Sequence, residues 1–227
     1  MRIIILSVLF IVTVLISFQL FNKTRYGEIK SDKADDNRQD QKEEIDLKLE
    51  IVRYSLLPVD TDRVRLTSGN YGFEMIFSDL YEFSTGRSFN NDNPQNDEVH
   101  VGVMDKDDVS DLTFTIAIGL LNYKNIEQIV QEAVDAQKRN FNPTANPEEI
   151  MDEDMKLEKA TDTINGEKVI WFQSRGAFDQ DEIFYFFVKG DKYYTIYSGL
   201  NHGKHFNPGQ LAEIRETVNS FKFVSSN

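Results

Sequence analysis

The stretch from Lys156 to Ser198 constrains this chain most, because strand-like runs, most of them rich in large apolar residues, are separated by turn residues. Residues 156–164, 167–175, 182–189 and 192–198 read as four successive antiparallel strands, with Asn165-Gly166 and Gly190-Asp191 at two of the turns. Asn-Gly supplies the positive φ angles that a tight type I′ hairpin turn demands. Adjacent strand residues point to opposite faces. Trp171, Phe172, Phe184, Tyr185, Phe186, Phe187, Tyr193, Tyr194 and Tyr197 therefore divide between two faces. Most are expected in the sheet core, some packed under helices and others free to line a ligand groove.

Three more strands are expected upstream. Residues 71–77 alternate Tyr71, Phe73, Met75 and Phe77 with Gly72, Glu74 and Ile76, the pattern of a strand with one buried face. Residues 98–104 and 112–120 read as a pair joined by an acidic turn from Asp105 to Asp111. A helix follows, capped by Asn122 or Asn125, in which Ile126, Ile129, Val130, Ala133 and Val134 form one apolar stripe. It should end before Pro143, since a residue preceding proline is pushed out of the α region. A closing helix opens at Asn207-Pro208-Gly209-Gln210: asparagine caps, proline takes the first turn, and Gln210 completes a capping box. Leu211, Ile214, Val218 and Phe221 are its buried stripe. The fold class is thus α+β, a meander of antiparallel strands with helices.

From Ile3 to Phe21 the only polar residues are Ser7, Thr13, Ser17 and Gln19, and none is charged. As a helix this run would be about 28 Å long, close to the hydrocarbon thickness of a bilayer. It reads as a signal anchor or a cleaved signal peptide. No Ala-x-Ala precedes a cut site, and Leu15 and Ser17 make a poor one, which favours a retained anchor. Arg2 on one flank against Lys23, Arg25 and Lys30 on the other leaves orientation to the general habit of short-headed N-terminal segments, which is export. Residues 22–47 are charged and almost free of apolar side chains, so they cannot bury enough surface to offset chain entropy and read as a flexible stalk. Residues 48–227 form the globular domain. The expected location is the cell membrane, single-pass with the C-terminal domain extracytoplasmic, or secretion after cleavage.

The net charge of −13 argues against a nucleic-acid partner, which needs Lys and Arg to displace counterions from phosphates. The chain has no cysteine, so disulfides, thiolate metal sites, cysteine nucleophiles and a lipid-modified cysteine are all excluded.

The order of these elements is familiar. Tyr71-Gly72-Phe73 opening a strand that runs to Phe77, an internal helix, a meander whose last strand carries Tyr193 to Tyr197, and a closing helix running into Ser220-Phe221-Lys222-Phe223 resemble the PsbP-like family over roughly residues 64 to 224. Ser78 and Tyr81 or Phe83 stand where many relatives carry a proline and then a tryptophan. The resemblance implies a central antiparallel sheet flanked by helices, an α/β/α sandwich. Members of that family dock to a membrane photosynthetic complex and help it retain ions, and another branch binds a small GTPase. No ion- or partner-binding motif of theirs maps onto this chain, so the implied function is a non-enzymatic binding or accessory module.

Candidate chemistry is sparse. His202 and His205 are the one close histidine pair and could share a metal with a neighbouring carboxylate; a polar loop in which Phe206 staples the helix start is the favoured reading. Asp105, Asp107, Asp108 and Asp111 lack the glycine and bidentate glutamate of an EF-hand loop, and with Glu148, Glu149, Asp152, Glu153 and Asp154 they read as solvated acidic loops. His100 reads as structural. No catalytic motif stands out, and no cofactor is called for. The expected function is a membrane-tethered or exported accessory module of the cell envelope, with the membrane (through Ile3 to Phe21) and an envelope protein as partners. The alternatives are an envelope hydrolase or metal-dependent enzyme, and a structural subunit of a larger membrane complex.

Overall fold

A computed structural model describes residues 49–88, 98–106, 111–176, 179–201 and 205–225, all within the compact unit Leu47–Asn227. The apolar run from Ile3 to Phe21 and the charged stalk at 22–47 lie outside the described residues. No helix among the described residues is long and apolar enough to cross a membrane.

The architecture is α+β, with every strand pair antiparallel. A seven-stranded sheet runs in the order β4 (Tyr81–Ser88), β5 (Glu98–Asp105), β6 (Leu112–Leu120), β10 (Lys192–Leu200), β9 (Asp181–Lys189), β8 (Glu167–Arg175) and β7 (Glu158–Ile164). A four-stranded sheet runs β1 (Tyr54–Pro58), β2 (Arg63–Ser68), β3 (Phe73–Ser78) and β11 (Lys222–Phe223). Among the described residues the α-helices are α1 (Ile126–Phe141) and α2 (Pro208–Asn219).

Alternation along the central strands builds two cores. On one face Val99, Val101, Val103, Phe114, Ile116, Tyr185, Phe187 and Ile196 pack with Leu66, Phe73, Met75 and Phe77 of the small sheet and with Ile214 and Val218 of α2. On the other face Ile170, Phe172, Phe186 and Tyr193 receive Ile129, Val130 and Val134 of α1. The central sheet is therefore flanked by helices, as the resemblance implies, and the small sheet shares a layer with α2. Strand β9 is apolar on both faces from Ile183 to Phe187, which is why its sequence runs continuously hydrophobic instead of alternating with polar residues.

The meander occupies the stretch its runs and turns predict, with Asn165 (φ 52°) and Gly166 (φ 86°) in the left-handed region that a type I′ turn requires. Asn125, not Asn122, caps α1, with Gln128 closing the capping box, because Asn122 and Tyr123 both take positive φ in the turn that ends β6. Asn207 and Gln210 form the second box at the start of α2. The first upstream strand begins at Phe73, two residues later than the alternation suggests. Gly72 adopts φ 60° and its N–H bonds Ser68 O, so Tyr71 and Gly72 belong to the turn between β2 and β3.

Candidate functional site

One end of the central sheet gathers the titratable side chains. There β5 ends at Asp105, β6 starts at Leu112, β10 ends at Leu200, β9 starts at Asp181 and β8 ends at Arg175. Antiparallel register places all five termini side by side, with Met104 opposite Thr113, Leu112 opposite Leu200 and Arg175 opposite Asp181. Asp111 and Asn201, far apart in sequence, thus meet: the Asn201 N–H donates to Asp111 O at 3.0 Å.

The charges at this end pair with one another. Arg175 Nη1 lies 2.8 Å from Asp179 Oδ1, and its Nε lies 3.9 Å from Asp181 Oδ1. His205 Nδ1 is 3.3 Å from Asp181 Oδ1, and Asp181 Oδ2 accepts the Phe206 N–H at 3.0 Å. Asp181 thereby ties the loop before α2 to the start of β9, which holds Phe206 against the core. His202, Asp107 and Asp108 lie outside the described residues. Of the proposed histidine pair only His205 is described, and the positive charge beside its two aspartates is a guanidinium. Among the described residues no three Asp, Glu or His side chains form a group suited to a metal ion. Asp105 is buried at the end of β5 and Asp111 sits at φ 59°. Lys138 reaches across from α1 to Asp152 at 2.8 Å, so part of the second acidic loop serves to fasten that helix. His100 is half-buried with its ring over Gly86 on β4, a structural placement.

Glu182 is the residue that sequence reasoning passed over. It lies on the α1 face of β9, in line with Phe184 and Phe186, beside Gly176: a Cβ there would stand 2.6 Å from its carboxyl carbon. The Tyr197 hydroxyl donates to Glu182 Oε1 at 3.3 Å and the Gln137 side chain also bonds the carboxylate. Burial pushes the Glu182 carboxyl above its ordinary value near 4.5, and the two hydrogen bonds offset this only in part. Tyr197 is pushed up as well, chiefly by burial, with the Glu182 charge adding to it.

Because the folded-state pKa exceeds that of the unfolded chain, folding takes up a proton at Glu182. The stability this contributes is complete below about pH 4.5 and is lost as pH rises through the raised pKa. In low-salt buffer Glu182→Gln is expected to be more stable than the wild type by about 1 kcal/mol at pH 7.5, with the difference gone by pH 4. Urea denaturation at the two pH values checks this; a constant difference would show that the carboxyl's ionisation is not the cause.

No family model matches the chain, and no curated protein matches it. Among solved structures, the solution structure of cyanobacterial PsbP (CyanoP) from Synechocystis sp. PCC 6803 is similar, with a TM-score of 0.47 and 11% sequence identity over 74% of this chain and 97% of that one. The likeness is one of fold alone. No residue role is carried over from it.

Proposed function

We propose that the chain is a non-enzymatic binding or accessory module of the cell envelope. It is held at the membrane through Ile3 to Phe21 with its C-terminal domain extracytoplasmic, or secreted after cleavage. The observation that carries this reading is the make-up of the loop-bearing end of the central sheet. Leu80 (43% exposed) and Met104 (56% exposed) stand together there, the Lys106 N–H bonding Leu80 O. Along the same end the charged side chains are fixed by one another: Arg175 by Asp179, His205 by Asp181. Exposed apolar side chains at the open end of the sheet suit recognition of a protein partner, the apolar contacts giving affinity. The uncharged length of the N-terminal run supports the membrane attachment.

The full chain, isolated in detergent from its own membranes, is expected to carry a companion protein at fixed stoichiometry. The double variant Leu80→Asp/Met104→Asp should lose it while keeping its melting temperature within about 2 °C, since exposed substitutions cost little. A wild-type preparation without a stoichiometric companion, or a variant that retains it, would sink the reading. Added protease should digest the domain on intact cells; digestion only after lysis would refute the outward placement.

A further inference from the structure

Among the described residues, three buried side-chain oxygens without hydrogen-bond partners belong to neighbouring residues beside α1: Glu182 Oε2, Ser174 Oγ and Gln137 Oε1. Ser174 stands directly opposite Glu182 in the β8–β9 register, so the two share the face beneath α1. The Gln137 side chain bonds the Glu182 carboxylate from α1. Ser174 is 1% exposed and Gln137 8%, so bulk water does not satisfy them, and native proteins leave few buried polar atoms unpaired. Among the described residues the donors that serve the carboxylate, Tyr197 and Gln137, are neutral. Nearby cations are engaged elsewhere: Lys138 with Asp152, and Arg175, on the opposite face from Ser174, with Asp179 and Asp181.

We infer that this cluster binds one monovalent cation, coordinated by the oxygens of Glu182, Gln137 and Ser174. Hard cations take oxygen ligands of these kinds. One carboxylate with neutral oxygens balances one positive charge, whereas a divalent ion would leave a net charge in a buried place. An ordered water would fill the same hydrogen bonds and leave the carboxylate uncompensated. A proton competes with the cation for the carboxylate. The groups facing Glu182 from its neighbours are Ser174 and Gly176 from β8, Tyr197 from β10 and Gln137 from α1. Tyr197 is the one titratable group among them, and burial keeps it neutral, so Glu182 alone sets the competition.

Thermal unfolding of the full chain in sodium, potassium and rubidium chloride, against N-methylglucamine chloride at matched ionic strength, tests the site. At pH 7.5 one alkali salt is expected to raise the midpoint by about 2–4 °C over the organic cation. The difference should vanish at pH 4 and in Glu182→Gln, and should shrink without vanishing in Ser174→Ala, which keeps the carboxylate. Crystals soaked in rubidium should show anomalous density against Glu182. Equal midpoints in all four chlorides, a response retained in full by Glu182→Gln, or a water in place of rubidium against Glu182 in soaked crystals would each overturn the assignment.

Discussion

Phe221→Ala is expected to lower the unfolding free energy by about 3–5 kcal/mol, the range for removing a fully buried aromatic ring. The side chain follows the end of α2 and is 1% exposed. Its ring centroid lies 4.5 Å from Phe187 on the central sheet, 5.8 Å from Phe73 on the small sheet and 5.2 Å from Phe223 on β11. One ring therefore joins two sheets and the last strand. Its loss leaves a cavity bounded by strands that hydrogen-bond to other strands and cannot easily collapse inward. The β11 pairing with β3 and the Val224 N–H bond to Gly72 O should loosen with it. Urea denaturation followed by circular dichroism reads the loss. Phe223→Ala, at a half-buried ring, should cost distinctly less; equal costs, or a Phe221→Ala loss below about 1 kcal/mol, would show that Phe221 does not bridge the layers.

What the sequence discloses follows from how strongly each element contrasts its two faces. β8 and β10 are short runs rich in β-branched and aromatic residues bounded by Asn-Gly or Gly-Asp, so composition and punctuation agree. Both helices announce themselves through capping boxes, a local signal that needs no tertiary context. β1 was not legible because it is exposed at Leu56 and Leu57 and has no buried face to impose a period. β4 has only Tyr81 and Phe83 as apolar residues, and β11 is too short to carry a pattern. The candidate site was harder still. The gathering of Asp111, Asp179, Asp181 and His205 is a product of antiparallel register, which no local spacing encodes. Glu182 did leave a trace: it shares its alternation phase with Phe184, Phe186 and Val188, so a carboxylate occupies a slot that the pattern assigns to a buried face.

Gly119→Ala should be costly for a reason visible only in the pairing. Gly119 lies opposite Tyr193 in the β6–β10 register, and the tyrosine ring rests on it: a Cβ at Gly119 would stand 2.3 Å from Tyr193 Cζ and 2.4 Å from its hydroxyl. Contacts that close do not occur, so the ring must leave. In leaving it gives up two things, its place among Val130, Val134 and Phe186 under α1 and the hydrogen bond from its hydroxyl to Glu98. Overpacking together with a broken hydrogen bond puts the cost at about 2–4 kcal/mol. Tyr193→Phe, which loses only the hydroxyl, should cost about 1 kcal/mol. The cause is isolated by a double-mutant cycle. In a Tyr193→Ala background the same methyl at Gly119 meets no ring, and since alanine stiffens the unfolded chain relative to glycine it should then be neutral or slightly stabilising. If Gly119→Ala costs as much in that background as in the wild type, the clash with Tyr193 is not what makes glycine necessary there.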